Sequence, residues 1–197
     1  HDELDRVTDT VNYGHYDLHG SATSFTRPST PPARSDTALR STTLFDDAGR
    51  TLSSTDPAGI ETRYAYDDLG RRITVIENYV NGTPGDDVTH NDDDRTTIYA
   101  YTDGLQTSMT AVDPDSVNDQ TTTYTYGVTT AGADGSDLVS NRLLDSVAYP
   151  DSAGGTDLTV HAYNRQGQQR YTIDQGQNAI VTEFDSAGRV TARKATV

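Results

Sequence analysis

Few residues in this sequence have the type and spacing that chemistry requires. His15 and His19 stand four apart, the spacing of a metal pair on one helix face. Tyr13-Gly14 before them and Gly20 after them argue against a helix, and no adjacent Glu completes a metalloprotease motif. His1, His90 and His161 are isolated, and His161 takes the first place of a Tyr-x-Tyr-like pair with Tyr163. The Asp-rich stretches offer the oxygen ligands that calcium takes. In Asp113-Pro114-Asp115-Ser116-Val117-Asn118-Asp119 the weak candidates are Asp113, Asp115, Asn118 and Asp119, but the glycine of an EF-hand loop is missing. Asp92-Asp93-Asp94 and Asp134-Gly135-Ser136-Asp137 are similar, and Gly154-Gly155-Thr156-Asp157 echoes a calcium β-roll only once. Solvated loop charge is the favoured reading of all of them. Serines are plentiful, yet none sits in Gly-x-Ser-x-Gly. Carboxylate pairs for glycoside chemistry are defined by separation in space, and Asp is foremost a turn residue. The expectation is a chain that is not an enzyme, with no catalytic residues and no cofactor.

The elements that hold these residues follow from composition. The chain has 197 residues, 32% hydrophobic, and a net charge of −15. Such a charge repels nucleic-acid backbones and anionic membranes. There is no Cys, which excludes disulfides and thiolate chemistry. No apolar run approaches a membrane span. Asp outnumbers Glu by 26 to 4, Arg outnumbers Lys by 14 to 1, and Thr reaches 31. Asp favours turns and Thr favours strands, whereas Glu and Lys favour helices. The fold class expected is all-β. The chain opens without Met and stops at Val197 inside a strand-like pattern, which reads as an excerpt of something longer.

A repeat emerges from the turns. Phe45-Asp46-Asp47-Ala48-Gly49-Arg50, Tyr66-Asp67-Asp68-Leu69-Gly70-Arg71, Tyr163-Asn164-Arg165-Gln166-Gly167-Gln168 and Phe184-Asp185-Ser186-Ala187-Gly188-Arg189 share one frame. It reads aromatic, Asp or Asn, two free positions, Gly, then Arg or Gln. Phe45 to Tyr66 and Tyr163 to Phe184 are both 21 residues. Tyr101 to Gly104 and Tyr126-Gly127 read as degraded copies, and His1 to Arg6 fits with His for the aromatic and Asp for Gly. Asp opening a type I turn accepts a backbone bond, and Gly closing it takes the left-handed conformation of a G1 bulge. Asp56-Pro57-Ala58-Gly59 supplies a second turn halfway, and Asp174-Gln175-Gly176 lies in the corresponding place.

Turns this frequent leave strands of about six residues, joined as an antiparallel hairpin meander. Ile60, Thr62, Tyr64 and Tyr66 share one face, with Glu61, Arg63 and Ala65 on the other. Past the turn, Ile73 and Val75 point one way and Arg72, Thr74 and Ile76 the other. Residues 20–41 read as a Pro/Ser/Thr-rich loop or linker. Residues 42–82 hold two well-matched repeats, 83–155 degenerate repeats with Asp-rich loops, and 156–197 two more, all within one array over 1–197.

Tyr64-Ala65-Tyr66-Asp67-Asp68-Leu69-Gly70-Arg71-Arg72 resembles the YD repeat of Rhs proteins, teneurins and insecticidal toxin complexes. That resemblance implies a segment of a spiralling β-sheet shell in a large secreted or cell-surface protein, enclosing a polypeptide, toxin-like cargo. The alternative it leaves open is an extracellular adhesion module for glycan or protein, or a self-assembling surface or filament component. The partners implied are flanking repeats of the same chain, an encapsulated polypeptide, a glycan or protein ligand, and further copies meeting through edge strands. Nucleic acid and membrane insertion are not expected. Asp56-Pro57-Ala58-Gly59-Ile60 is similar to the family's Asp-Pro-x-Gly-Leu cleavage segment but reads as a turn. The repeat-motif residues are Phe45, Asp46, Gly49, Arg50, Asp56, Gly59, Tyr64, Tyr66, Asp67, Gly70, Arg71, Tyr163, Asn164, Gly167, Phe184, Asp185, Gly188 and Arg189.

Overall fold

A computed structural model of the chain describes residues 1–13, 29–84, 92–113, 118–131, 135–150 and 157–196. His15, His19, His90, Asp115 and the 151–155 stretch lie outside them. Thirteen strands form one sheet in strict chain order: β1 (Asp9–Asn12), β2 (Leu39–Phe45), β3 (Thr51–Thr55), β4 (Glu61–Tyr66), β5 (Arg72–Glu77), β6 (Arg95–Thr102), β7 (Leu105–Ala111), β8 (Gln120–Val128), β9 (Ser140–Ala148), β10 (Leu158–Tyr163), β11 (Gln169–Ile173), β12 (Ala179–Phe184) and β13 (Val190–Thr196). The described residues contain no helix. The all-β antiparallel meander expected from the turns is therefore the fold. Two units are distinguished, His1–Ile98 with Val112–Asn118 and Tyr99–Ala111 with Asp119–Val197.

The strands alternate because their side chains do. Along β4, Tyr64 and Tyr66 are half-buried while Arg63 and Ala65 are exposed. Tyr99 and Tyr101 on β6, and Tyr124 and Tyr126 on β8, repeat the pattern. Tyr hydroxyls reach back across the sheet, Tyr66 to the Thr51 carbonyl and Tyr163 to that of Leu144, both at 2.9 Å. Little apolar surface is fully enclosed. Among the described residues of the first unit only Ala38 is a buried hydrophobe, and the second has Val128, Val147, Ala162, Tyr163 and Ala179. Hydrophobic burial, roughly 25 cal/mol per Å², is therefore a thin support, most of all in the first unit.

The turns are uniform. Gly70 donates to the Asp67 carbonyl and Asp67 donates to that of Arg71, both at 2.9 Å. Gly70 has φ +79°, where a Cβ is strained even though the nearest side-chain atom lies 3.9 Å away. The same pair of bonds closes the turns at Asp46, Asn164 and Asp185, and at Asp2, where Asp5 takes the left-handed position at φ +60°. On the opposite edge, Asp56 and Asp174 open the same turn.

Several local expectations are corrected. Gly127 lies inside β8, at a register shift against β9, and so makes a bulge rather than a turn. At Asp174 the left-handed residue is Gln177, one place beyond Gly176. Asp103-Gly104 is a two-residue turn with both φ positive, the type I′ form that suits strand twist. β2 begins at Leu39, inside the stretch expected as loop. A register shift at Ala65/Tyr66 sets Arg72 opposite Tyr66, and its guanidinium lies 4.5 Å over the Tyr64 ring. Arg72 thus belongs with Val75 rather than with Thr74.

Two Asp-rich segments each hold a buried polar anchor, while Asp92 and Asp137 remain exposed. Asp94 is fully buried, and its carboxylate accepts the backbone N–H groups of Val80, Asn81 and Gly82 at 2.9, 3.1 and 2.9 Å. Desolvation works to raise this carboxyl, but the three amides and the Arg63 charge outweigh it and hold it below the ordinary value. Ser136, also buried, accepts the Tyr163 N–H at 3.0 Å, and Asp137 donates its N–H to the Tyr163 carbonyl at 2.7 Å.

Gly70→Val is expected to lower stability by about 1–3 kcal/mol, because a β-branched residue is strained at positive φ. Ala65→Val, on an exposed strand position, is expected to be close to neutral. Thermal melts of the two variants check this, and equal melting temperatures would contradict it.

Candidate functional site

The feature that recurs around the repeat motif is a contact from one motif turn to the next, made by Arg6, Arg50 and Gln168. In the Asp67 turn, Oδ1 accepts the N–H groups of Leu69 (3.0 Å) and Arg71 (2.9 Å), and Oδ2 accepts the Arg71 Nε at 2.7 Å. One carboxylate thus caps the turn and aims the guanidinium. Asp46 treats Arg50 the same way, at 2.8 Å to N–H and 2.6 Å to Nε. Asp185 does so for Arg189, and Asp2 for Arg6.

The guanidinium then reaches forward. Arg6 Nη1 donates to the Asp46 carbonyl at 3.3 Å, and Arg50 Nη1 to the Asp67 carbonyl at 3.1 Å. Each also lies over the aromatic ring that precedes that Asp, Arg6 at 4.6 Å from the Phe45 centroid and Arg50 at 4.8 Å from that of Tyr66. A cation over an aromatic face contributes about 0.5–1 kcal/mol at an exposed site. The turn at Asn164 keeps the link with neutral groups. Asn164 Nδ2 donates to Gln168 Oε1 at 2.9 Å, and Gln168 Nε2 donates to the Gly188 carbonyl at 2.8 Å. Asp with Arg is replaced by Asn with Gln as a pair, and a forward contact is kept, to the Gly carbonyl of the next turn in place of its Asp carbonyl.

Sequence reasoning placed Arg or Gln in the motif and gave it no task. The available signal was that paired replacement. The turn at Asp56 has Ile60 where Arg would stand, and its Asp only accepts the Ile60 N–H, at 2.9 Å. The forward link is therefore absent from that turn. Asp94, the buried carboxylate, left no signal, since Asp92-Asp93-Asp94 looks like any acidic loop.

Among the described residues no group of three or more His, Asp or Glu is placed to hold a metal. Asp113 is half-buried, while Asn118 and Asp119 are exposed. A groove of about 570 Å³ lies along Asn164, Arg170, Tyr171, Val181, Glu183 and Phe184. Arg170 donates to the Gly135 carbonyl at 3.0 Å and pairs with Asp137 at 3.5 Å. His161 accepts or donates at Nδ1 with Gln169 Nε2 (3.1 Å), and burial lowers its imidazole below the ordinary value.

Residues 45–83, which hold the Asp46 and Asp67 turns, match the RHS repeat family. That segment is an RHS repeat. Its fold is similar to that of TcdB2-TccC3 without the hypervariable C-terminal region, at 15% identity and a TM-score of 0.53, with 80% of this chain matched to 8% of that one. TcdB2-TccC3-TEV matches at 16% identity and a TM-score of 0.46, over 80% of this chain and 8% of the other. TcdB2-TccC3-Cdc42 gives 13% and 0.44, over 82% and 9%. This chain therefore spans less than a tenth of the length of these structures. No curated protein matches it.

The turn carboxyls set an acid limit for the repeats. Desolvation tends to raise Asp2, Asp46 and Asp67, but the amide and guanidinium of the following Arg outweigh it, and all three lie below the ordinary value of 3.8. At Asp185 the Arg189 amide leads, in the same direction. A folded pKa below the unfolded one gives stability that is complete above the unfolded value and lost as pH falls through the folded one. Relief of the −15 self-repulsion acts the other way, so the test is a difference. A variant carrying Asp67→Asn with Arg71→Gln should lose less stability than the parent below about pH 4. Parallel acid limbs in thermal melts would contradict the assignment.

Proposed function

We propose that this chain is a non-enzymatic structural segment of an RHS-repeat shell, one stretch of a wall built to enclose a polypeptide cargo in a secreted or cell-surface protein. The observation that carries this reading is the forward link. Arg6, Arg50 and Gln168 each tie one turn to the next, so each repeat is completed by its neighbour. A structure of that kind suits a continuous wall, because stability accumulates at nearest-neighbour interfaces. The similarity of fold to TcdB2-TccC3 supports it. So does the shortage of buried apolar side chains, which makes a repeat dependent on the next one.

The boundaries read from the sequence belong to the same proposal: well-matched repeats at 42–82 and 156–197, with degenerate ones between. The calcium reading of Asp113, Asn118 and Asp119 stays a minor proposal beside it. A second reading, an adhesion module for glycan or protein, is favoured by the groove beside Tyr171 and Phe184, which offers aromatic faces with Asn164, Arg170 and Glu183 at the rim.

Adding further repeats of this type at both ends should raise the melting temperature of residues 1–197, by several degrees for each about 1 kcal/mol of new interface. A melting temperature unchanged by extension would mark an independent domain and favour the adhesion reading.

A further inference from the structure

The turn at Asp103-Gly104 makes no Arg link, and the place that the link would fill is a groove. Arg6, Arg50 and Gln168 each directly follow a left-handed residue that closes a turn, Asp5, Gly49 and Gly167. Each reaches the turn at the end of the next strand. Gly104 is left-handed too, at φ +80°, but the residue after it is Leu105. Leu105 opens β7, and β7 pairs antiparallel with β8, which carries Tyr126 near its end. In the same way Arg50 stands ahead of β3, which pairs with β4, and β4 ends in Tyr66. Tyr126 is therefore the ring that an Arg at position 105 would meet.

Leu105 and Tyr126 line one groove of about 360 Å³, together with Thr107 and Tyr124. Ligand sites commonly fall at roughly 300–1,000 Å³. Both tyrosines are half-buried. Among the described residues no cation lies over either ring, whereas Phe45, Tyr66, Tyr64 and Tyr79 each carry a guanidinium, at 4.6, 4.8, 4.5 and 3.5 Å from the centroid. Asp103 and Arg142 also line the groove, and both are exposed. Among the described residues neither side chain has an ion-pair partner. The groove thus joins an uncovered ring, the place of its missing guanidinium, and an uncommitted carboxylate.

We propose that this groove is a binding site for one arginine side chain, supplied by another polypeptide segment. The chain's own repeats define the occupant, since the guanidinium of Arg50 already takes this place over Tyr66. The guanidinium plane lies on the Tyr126 face, the negative pole of the ring. Asp103 accepts its N–H groups, as a turn carboxylate does for Arg50 and Arg71. Arginine suits the site better than lysine, because its flat fork stacks and donates at once. The net charge of −15 favours the approach of a cation. Arg142 at the rim repels a second one, so the segment that fits carries a single arginine among neutral or acidic residues. The site is read from the repeats themselves and does not rest on the shell reading.

The probe is the tripeptide acetyl-Gly-Arg-Gly-amide, titrated into the whole chain at about 0.15 M salt, where distant charges are screened. Binding is followed by the NMR ring-proton shifts of Tyr124 and Tyr126. Saturable shifts are expected, with a dissociation constant on the order of 1 mM. The same tripeptide with uncharged citrulline in place of arginine leaves the protein untouched and should bind at least about two- to fivefold more weakly. Tyr126→Leu should weaken binding of the arginine tripeptide by a similar factor. Leu105→Arg should abolish binding without lowering the melting temperature, because it returns the chain's own guanidinium to Tyr126. Arg142→Met should leave binding unchanged or tighten it. No saturable shift at the two rings, equal binding of the citrulline tripeptide, or undiminished binding to Leu105→Arg would overturn the proposal. So would loss of binding with Arg142→Met, because that assigns the groove to an anionic group.

Discussion

The contact on which this structure depends is a turn carboxylate holding the Arg four residues later. An exposed Asp–Arg pair alone contributes little, about 0–1 kcal/mol. Its importance here is geometric. Asp46 binds the Arg50 amide and Nε together, which leaves Nη1 and the flat face of the guanidinium directed at the next turn. The Tyr66 ring and the Asp67 carbonyl then have a pre-placed partner, so little side-chain freedom remains to be lost. Each link is small. Their repetition gives the sheet a support that does not require a thick core.

This explains why a chain with so few buried hydrophobes can be ordered. In the first unit the described residues bury one small apolar side chain, Ala38. Backbone pairing and half-buried Tyr faces carry the strands, and the Arg links keep successive hairpins in step. The second unit has a fuller interior around Val128, Val147 and Tyr163, and there the link is made by neutral Asn164 and Gln168. The paired exchange keeps a contact to the next turn, made to its Gly carbonyl instead of its Asp carbonyl and without charge. Enzymatic chemistry gains no support from this arrangement, since the carboxylates that recur are committed to amides and guanidinium groups.

Much of the fold was legible because turn chemistry is local. Asp at the first position and Gly at the fourth dictate a type I turn with a left-handed close, and the turn spacing dictates strand length. The alternation of Tyr64 and Tyr66 with Arg63 and Ala65 gave the faces of β4 for the same reason. What was not legible depends on contacts between distant residues. Nothing near Asp94 distinguishes it from Asp92 or Asp93, yet the arch at Val80–Gly82 closes on it alone. Gly127 carries the sequence signature of a turn, but the register of β8 against β9 absorbs it as a bulge. Arg72 changes face because of a bulge that the motif does not announce. The Arg in the motif was visible, whereas its partner lies in the following repeat and appears only when the strands are paired.

The central claim is that stability passes from turn to turn through this Arg. A double-mutant cycle on Arg50→Met and Tyr66→Leu, read by chemical denaturation, tests it most directly. A coupling of about 0.5–1 kcal/mol or more is predicted, because the two residues meet across successive hairpins. Additive effects, with no coupling beyond error, would contradict the account and leave the sheet to its backbone pairing alone.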